Sequence, residues 1–447
     1  MKAAGTPFVR RFVDVRPGEL GIVIASCLFF FCLLGANYVW RPVRDELGVS
    51  AGPENLWGLY TGTLLATLVV SPLFAWLVSR MPRRRFITLT YRFFALSLVA
   101  FFAIIHGEDI EGSRASMVLY VWLSTFNLLI ISVFWGFMGD VFQNEQSKRL
   151  YGLIGAGGTL GAIVASMSIS WLMALEHHPD PATLLLLAAL LLEICVQTMS
   201  WIARRAPPRP LEPHLVEPPR PDKWTGMRLV RQKPYLQILC IYMILQTICA
   251  TFLYYEQANL LKQLMPDRAQ RTVFLADINF WVNSLTLCVQ VLFTGKLLRW
   301  LGITFTLLPL PLIALGGFTA LASHASLFVL QAMTILSKAC EYATAKPARE
   351  TLYTVVSRAE KYQAKSFIDT FVYRGGDWLG GFFFHQVFSR GLLGLSGMAW
   401  LAVPIAGAWT AAAYTLGRRQ EALARAALAR ENPSAADPRL ESSGERV

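Results

Sequence analysis

Twelve apolar runs, each about as long as a membrane span, organise this chain of 447 residues. They are residues 19–40, 56–79, 86–106, 115–139, 150–175, 182–203, 235–257, 272–295, 303–322, 325–345, 366–388 and 395–417. A helix needs about 20 mostly apolar residues to cross the hydrocarbon core of a bilayer. Because the backbone must satisfy its own hydrogen bonds there, the pattern predicts an all-α integral membrane protein with about 12 transmembrane helices.

The composition agrees with a membrane protein, since 54% of the residues are hydrophobic and 16% are charged. Soluble domains average about 25% charged residues. The formal net charge of +12 is explained by basic loops, because no stretch interleaves basic and aromatic residues in the manner of nucleic-acid binding. We therefore expect membrane lipid around the protein and no nucleic-acid partner.

Cysteine and histidine do not follow metal-site spacing in this sequence. All seven cysteines fall within apolar runs, their number is odd, and no CxxC spacing occurs. His177 and His178 stand in a short loop without further ligands at a spacing that would close a coordination shell. We predict no disulfide framework, no metal site and no cofactor.

Basic residues mark one side of the membrane. Most of the 41 Lys and Arg residues fall before residue 18, in 80–85, 204–233 and 346–365, and after residue 417. Cytoplasmic loops of membrane proteins carry the excess of Lys and Arg. The pattern therefore predicts a multi-pass membrane protein with both termini in the cytoplasm.

The longest polar insertion divides the twelve runs into two groups of six. We predict an N-terminal half over 1–203, a cytoplasmic linker over 204–234, a C-terminal half over 235–417 and a cytoplasmic tail over 418–447. The tail begins as a short helix candidate and ends in a disordered segment. This arrangement resembles the outline of the major facilitator superfamily, in which two six-helix halves rock about a site near the middle of the bilayer.

Polar side chains follow single faces of several predicted helices. They are Asn37, Arg41 and Arg44 in span one, Ser124 and Asn127 in span four, Tyr242, Gln246, Cys249 and Glu256 in span seven, and Asn279, Asn283, Thr286 and Gln290 in span eight. An isolated Asn or Gln is explained by hydrogen bonding to a neighbouring helix. A row of polar groups, or two cations on one face, favours a hydrated central cavity.

Spans ten and eleven carry five charged residues, although a charge inside a bilayer costs at least about 2.5–3.5 kcal/mol. These residues are Lys338, Glu341, Asp369, Arg374 and Asp377. Lys338 with Glu341, and Arg374 with Asp377, have the i, i+3 spacing that permits pairing within one helix. Two interpretations stay open: ion pairs that only lock the helices, or groups that belong to a transport pathway.

Other unusual residues within the spans have structural explanations. Arg92 in span three is expected to extend toward the cytoplasmic surface, and Glu193 in span six has no evident partner in the sequence. Span five contains five glycines, which predict close helix packing. They are Gly152, Gly155, Gly157, Gly158 and Gly161.

Three groups of motifs resemble the ATP/ADP translocase family, nucleotide exchangers related to the major facilitator fold. They are Trp40-Arg-Pro-Val-Arg-Asp-Glu-Leu-Gly48, Phe134-Trp-Gly-Phe-Met-Gly-Asp140 with Ser147-Lys-Arg-Leu-Tyr-Gly152, and the series Lys346, Glu350, Lys365, Asp369, Arg374 and Asp377. The resemblance implies roles in nucleotide transport for Arg44, for Glu256 and for the basic region of Lys365 and Arg374. A further acidic residue of the family is absent, since residues 117–139 contain no Asp or Glu.

We hypothesise an alternating-access secondary transporter of the bacterial inner membrane for an anionic small molecule, either a nucleotide or another phosphorylated metabolite. No ATP-hydrolysing motif occurs, so a gradient or exchange would drive it. The candidate substrate-binding residues are Arg41, Arg44, Asn127, Glu256, Asn283, Lys338 and Arg374. The candidate coupling or gating residues are Asp45, Glu341, Asp369 and Asp377. We expect a monomer.

Two other functions stay open at this point. A proton-coupled exporter of a lipid-like or drug-like amphiphile would use the 12% aromatic residues to line its cavity. An integral-membrane transferase is the third possibility, but the sequence contains no recognisable nucleophile–base pair or metal cluster. We therefore expect no enzymatic activity.

Overall fold

The computed structural model describes residues 16, 19–105, 114–142, 144–177, 179–205, 225–290, 302–355, 364–365, 367–389 and 393–431. Every regular element among these residues is helical, and they contain no β-strand. A helix satisfies its own backbone hydrogen bonds in an apolar solvent, which explains this uniformity.

Long helices make up most of the structure. The N-terminal ones are α1 (Leu20–Ala51), α2 (Pro53–Arg80), α3 (Arg83–Ile105), α4 (Arg114–Val141), α5 (Asn144–Met173) and α6 (Leu184–Arg205). They are followed by the short α7 (Thr225–Gln232), α8 (Pro234–Leu264), α9 (Arg268–Val289), α10 (Gly302–Leu307) and α11 (Pro309–Ser323). The last are α12 (Leu327–Cys340), α13 (Lys346–Leu352), α14 (Tyr373–Ser389) and α15 (Leu395–Glu431).

Within the described residues, each predicted apolar run coincides with one helix or with consecutive helical segments, so the prediction of an all-α membrane protein is confirmed. Ten helical stretches in the described part of the chain are long and apolar enough to cross a membrane. The other two runs, 325–345 and 366–388, contain π-helical turns at Glu341–Ala345 and Ile368–Val372. The chain is a multi-pass membrane protein.

The ends of two helices differ from the predicted spans. α1 continues past residue 40 to Ala51 and buries Asp45 and Glu46 within its last turns, because these carboxylates have cationic partners in the folded chain. α15 extends to Glu431, which includes the short helix predicted at the start of the tail. The predicted disordered segment 432–447 and residues 206–224 of the predicted linker lie outside the described residues.

The chain divides into two compact units. Unit 1 comprises Met1–His214 and Gln257–Leu287, and unit 2 comprises Leu215–Glu256 and Cys288–Val447. The last turns of α8 and most of α9 therefore group with the N-terminal helices. The division into halves at 204–234 stays a prediction.

Unit 1 is built around α1, which packs against α4, α5 and α6. Phe134 of α4 lies with its ring centroid 4.3 Å from that of Phe30 and 4.9 Å from that of Phe29. On α5, a Cβ atom at Gly161 would overlap the backbone carbonyl of Phe31. The close packing predicted from the glycines of span five is confirmed at this contact, since only a residue without a side chain fits.

Close helix packing at glycines also occurs in unit 2, on α14, the helix that carries Arg374 and Asp377. A Cβ atom at Gly376 would overlap the hydroxyl of Thr247 on α8, and one at Gly380 would stand 3.1 Å from Ile248 Cα. These glycines bring the α14 backbone against α8. The charged side chains of α14 are thereby fixed in position relative to the polar stripe of α8.

Candidate functional site

Asn37 and Asn127 meet between α1 and α4. Asn37 Nδ2 donates to Asn127 Oδ1, and the Asn37 side chain is buried. One turn further along α1, Arg41 Nη1 donates to the Tyr38 hydroxyl at 3.1 Å, and its guanidinium carbon lies 5.2 Å from the centre of the Tyr38 ring. The polar face that the sequence predicted on span one thus lies against span four.

Arg44 forms an ion pair with the neighbouring Asp45. Its Nε and Nη2 atoms donate to Asp45 Oδ1 at 3.0 and 2.5 Å. The side chains are 18% and 4% exposed, and the guanidinium also lies 5.9 Å from the centre of the Tyr120 ring on α4. Arg44 keeps part of its surface accessible while Asp45 compensates its charge.

A buried ionic network lies at the end of α1, at the residues that follow Asp45. Glu46 is fully buried and accepts from Arg271 Nη2 at 3.0 Å and from Arg268 Nη2 at 3.2 Å. The Ser50 hydroxyl donates to Glu46 Oε1 at 2.5 Å and accepts from Arg271 Nη2 at 3.0 Å. One carboxylate therefore pairs with two guanidinium groups at the start of α9 and compensates part of their charge.

Sequence reasoning missed this network because it assigned Arg268 and Arg271 to a loop. Two features of the sequence could have indicated it. Glu46 and Ser50 are spaced i, i+4, and Arg268 and Arg271 are spaced i, i+3, so each pair shares one helix face. The contact itself joins residues that are 225 positions apart, and no local pattern predicts that partnership.

Three of the five charged residues of predicted spans ten and eleven, Glu341, Arg374 and Asp377, lie near one another within unit 2. Arg374 Nη1 lies 3.7 Å from Asp377 Oδ2, with both side chains less than one fifth exposed. The Glu341 carboxylate lies within electrostatic range of Asp377, and Tyr373 lies within range of all three charges. The i, i+3 pairing predicted for Arg374 and Asp377 is confirmed.

Both charged helices are distorted at these residues. Glu341 is the first residue of the π-helical turn that connects α12 to α13, and the backbone of Asp369 lies within the turn that precedes α14. π-Helical turns are rare and occur frequently at functional sites. Lys338 lies half-buried in the last turn of α12, and its predicted pairing with Glu341 stays a prediction.

The two other candidate binding residues are deeply buried. Glu256 on α8 is 3% exposed, and its Oε1 atom has no hydrogen-bond partner among the described residues. Asn283 on α9 turns back on its own helix, because its Nδ2 donates to the Asn279 carbonyl at 2.7 Å. Glu256 is thus a buried acid with an unused acceptor, whereas Asn283 is satisfied locally.

Two further basic residues, Arg92 and Lys365, form ion pairs. Arg92 Nη2 donates to Glu193 Oε1 at 2.8 Å, so Glu193 has the partner that the sequence did not reveal. The extension of Arg92 toward the cytoplasmic surface stays a prediction. Lys365, the other basic residue of the motif that contains Arg374, pairs with Glu350 at 2.6 Å in an exposed position.

Long apolar helices that keep buried ion pairs and asparagines in their interior are typical of membrane transporters, in which intramembrane charges mark substrate and ion pathways. The chain belongs to the major facilitator superfamily, whose sequence model matches residues 20–345.

Curated relatives and solved structures agree with this family. The chain is 23% identical to ADP,ATP carrier protein 1 of Chlamydia muridarum over 84% of each chain. It is 22% identical to the chloroplastic ADP,ATP carrier protein 1 of Arabidopsis thaliana over 56% of this chain and 45% of that protein. The resemblance stated from the motifs is therefore confirmed.

Two transporter structures show the same fold. A mutant of the nucleoside transporter NupG superposes with a TM-score of 0.61 at 13% identity, over 90% of this chain and 99% of that chain. A bacterial homologue of the iron transporter ferroportin, in an inward-facing state, gives 0.62 at 14% identity, over 88% and 99%.

Proposed function

We propose that this protein is an alternating-access secondary transporter of the inner membrane for an anionic, phosphorylated metabolite of the nucleotide class. The observation that carries the proposal is that two arginines of α1 each lie near an aromatic ring, one on α1 itself and one on α4. Arg41 lies over Tyr38, and Arg44 lies near Tyr120. Guanidinium groups bind phosphate through paired hydrogen bonds, and aromatic rings stack on bases. The relatives named ADP,ATP carriers support the same substrate class.

The contact between Arg44 and Asp45 indicates how Arg44 would bind a phosphate group. Two of its donor atoms, Nε and Nη2, point to a single oxygen of Asp45, at 3.0 and 2.5 Å. A phosphate group offers a fork-shaped acceptor that matches guanidinium better than one shared oxygen. In the proposed cycle Arg44 exchanges part of its contact with Asp45 for the substrate, so that Asp45 acts as the coupling residue.

In unit 2 the proposed binding cations are Lys338 and Arg374. Asp377 lies 3.7 Å from Arg374, and Glu341 lies within electrostatic range of Asp377, so these carboxylates partly balance the positive charge of Arg374 when no anion is bound. An arriving anion competes with these carboxylates, which links binding to a local rearrangement. The π-helical turn at Glu341 provides a segment in which such a rearrangement is feasible.

Glu256 is the proposed proton-binding group. It is almost completely buried, and its Oε1 has no partner among the described residues. Burying an unpaired carboxylate is costly, and protonation removes the charge. A proton on Glu256 in one state and its release in another would couple transport to a proton gradient.

Counterflow of labelled ATP and ADP into proteoliposomes tests the substrate class. We expect uptake that depends on internal nucleotide and falls by about tenfold or more in Arg44→Ala, because a charge-assisted contact is lost. Arg205→Ala is the matched control, since Arg205 also lies over an aromatic ring, Trp201, at 4.0 Å, but at the end of α6. Nucleotide-independent uptake, or equal activity in Arg44→Ala and Arg205→Ala, would refute the assignment.

A second function is favoured by one further observation. An apolar groove of about 570 Å³ runs between α2 and α4. Its lining combines aliphatic side chains with Trp57 and Trp122, and Asn55 lies at one end. Such a lining suits a lipid-like or drug-like amphiphile, as in the proton-coupled exporter predicted as the alternative. A thermal-shift comparison of nucleotides with amphiphiles distinguishes the two functions, because only the true substrate class should raise the Tm.

A further inference from the structure

A polar cluster joins α3 to α6 within unit 1. Arg92 Nε donates to Glu193 Oε2 at 3.1 Å, and Arg92 Nη2 donates to Glu193 Oε1 at 2.8 Å. Gln197 Nε2 also donates to Glu193 Oε1, at 2.6 Å. This is a bidentate ion pair with an additional amide donor, and none of these residues has been assigned to the substrate site.

The cluster lies deep within two membrane-spanning helices. Arg92 is about 14 Å along the axis from the first residue of α3, and Glu193 is about 14 Å from the first residue of α6 and about 18 Å from its last, at 1.5 Å per residue. The hydrocarbon core of a bilayer is about 30 Å thick. The ion pair therefore stands near the middle of the core, well below the headgroups.

The cluster nevertheless faces outward from unit 1. The Arg92 and Glu193 side chains are 50% and 40% exposed. Their neighbours on the same surface are exposed apolar residues, with Leu96 at 68%, Phe93 at 52% and Leu190 at 59%. This surface has the composition of a lipid-facing wall, except for an ion pair that hydrocarbon solvates poorly.

We infer that this face binds a second copy of the chain. The exposed pair presents a cation beside an anion, so a two-fold axis along the membrane normal can place Arg92 of each copy against Glu193 of the other. Such a contact is self-complementary and gives the ion pair polar neighbours in place of lipid tails. Polar side chains stabilise helix association in membranes.

A lipid headgroup is the less suitable occupant, because the cluster lies about 14 Å from the nearest helix end. The resulting homodimer, formed through α3 and α6, departs from the monomer expected from the sequence. It is independent of the transported substrate.

Cysteine crosslinking in native membranes tests this surface with the full chain. Leu96→Cys lies one turn from Arg92 on the same helix face, and Met167→Cys on α5 is the control, because Met167 is also exposed at 55%. The chain without added cysteine gives the background, since Cys288 is exposed. We expect crosslinked dimers for Leu96→Cys and only background for Met167→Cys.

A charge exchange then tests the ion pair without breaking it inside any one chain. The double variant Arg92→Glu with Glu193→Arg keeps the internal pair but would place like charges opposite each other when it meets an unexchanged chain. Two differently tagged Leu96→Cys chains are co-expressed, one of them exchanged. We expect each to crosslink with itself, and mixed dimers to fall about threefold or more below random pairing, from the energy of interhelical polar contacts.

Three results would overturn the inference. They are the absence of dimers for Leu96→Cys, equal crosslinking at Met167→Cys, and mixed dimers at the random frequency. Any of them would assign the exposed ion pair to a lipid environment. An absence of nucleotide counterflow would contradict the proposed function but not the dimer, because the crosslinking experiments do not measure transport.

Discussion

Arg271 donates from Nη2 to Glu46 Oε1 at 3.0 Å, and the two side chains are 3% and 0% exposed. Glu46 belongs to the predicted N-terminal half, whereas Arg271 belongs to the predicted C-terminal half. Both lie within unit 1. If the predicted halves separate at this end during transport, the network must open, so it is suited to act as a latch on the side predicted to be periplasmic.

Replacing Glu46 tests how much this network contributes to the stability of the folded protein. Glu46→Ala leaves two guanidinium groups without their carboxylate, and breaking a buried ion pair in this way costs about 3–5 kcal/mol. We expect a large fall in the Tm of purified protein. Glu350→Ala is the control, because the exposed pair of Glu350 with Lys365 contributes about 0–1 kcal/mol. Equal Tm values for the two variants would contradict a buried network.

Replacing Arg41 by Lys or by Ala separates the role of its planar guanidinium group from the role of its charge. Arg41→Lys keeps the positive charge but loses the planar fork and most of the contact with the Tyr38 ring. If Arg41 binds a phosphate, we expect the KM of counterflow to rise by about tenfold in Arg41→Lys and transport to be lost in Arg41→Ala. Concentration-dependent uptake measures this difference, and an unchanged KM in Arg41→Lys would exclude a bidentate contact.

A double-mutant cycle decides between the two interpretations of Arg374 and Asp377. If the pair only locks α14, the double variant Arg374→Ala with Asp377→Ala should recover both the Tm and the transport rate that Asp377→Ala loses. We expect recovery of stability alone, with transport still reduced by about tenfold or more. Thermal unfolding and counterflow measured on the same preparations give both readouts.

Proton coupling through Glu256 predicts a selective defect. Gln has nearly the shape of a protonated carboxyl group, so Glu256→Gln should fold and continue to exchange substrate. It should lose accumulation driven by an imposed proton gradient, because the side chain no longer releases a proton. Gradient-driven uptake that persists at the level of the unaltered chain would remove Glu256 from the mechanism.

Helix packing at the glycines of α5 gives a further test of the structure. A Cβ atom at Gly161 would overlap the Phe31 carbonyl, whereas one at Gly155 meets nothing within 4 Å. We expect Gly161→Ala to lower the Tm and the folded yield. Gly155→Ala should raise stability by up to about 1 kcal/mol, because Ala is the better helix former. A lower Tm in Gly155→Ala than in Gly161→Ala would contradict the close contact at Gly161.

The glycines and the charged motifs show how far local sequence information reaches. Gly161 was predicted to lie in a close helix contact because span five is rich in glycine. Arg374 was predicted to be able to pair with Asp377 because helical periodicity fixes which neighbours share a face. The π-helical turn at Glu341 was not predicted, since such a distortion depends on packing against other helices. The association of residues 257–287 with unit 1 was likewise not evident in the sequence.

The sequence by itself determined that this chain forms membrane-spanning helices and which faces of them are polar. It did so because apolar length and helical period are local properties, and a bilayer admits few other structures. Only the tertiary structure decided the ionic partners, such as Glu46 with Arg271 and Arg92 with Glu193, which are 225 and 101 positions apart. The reason is physical: any carboxylate can neutralise any guanidinium, so helix packing, and not residue type, selects the pair.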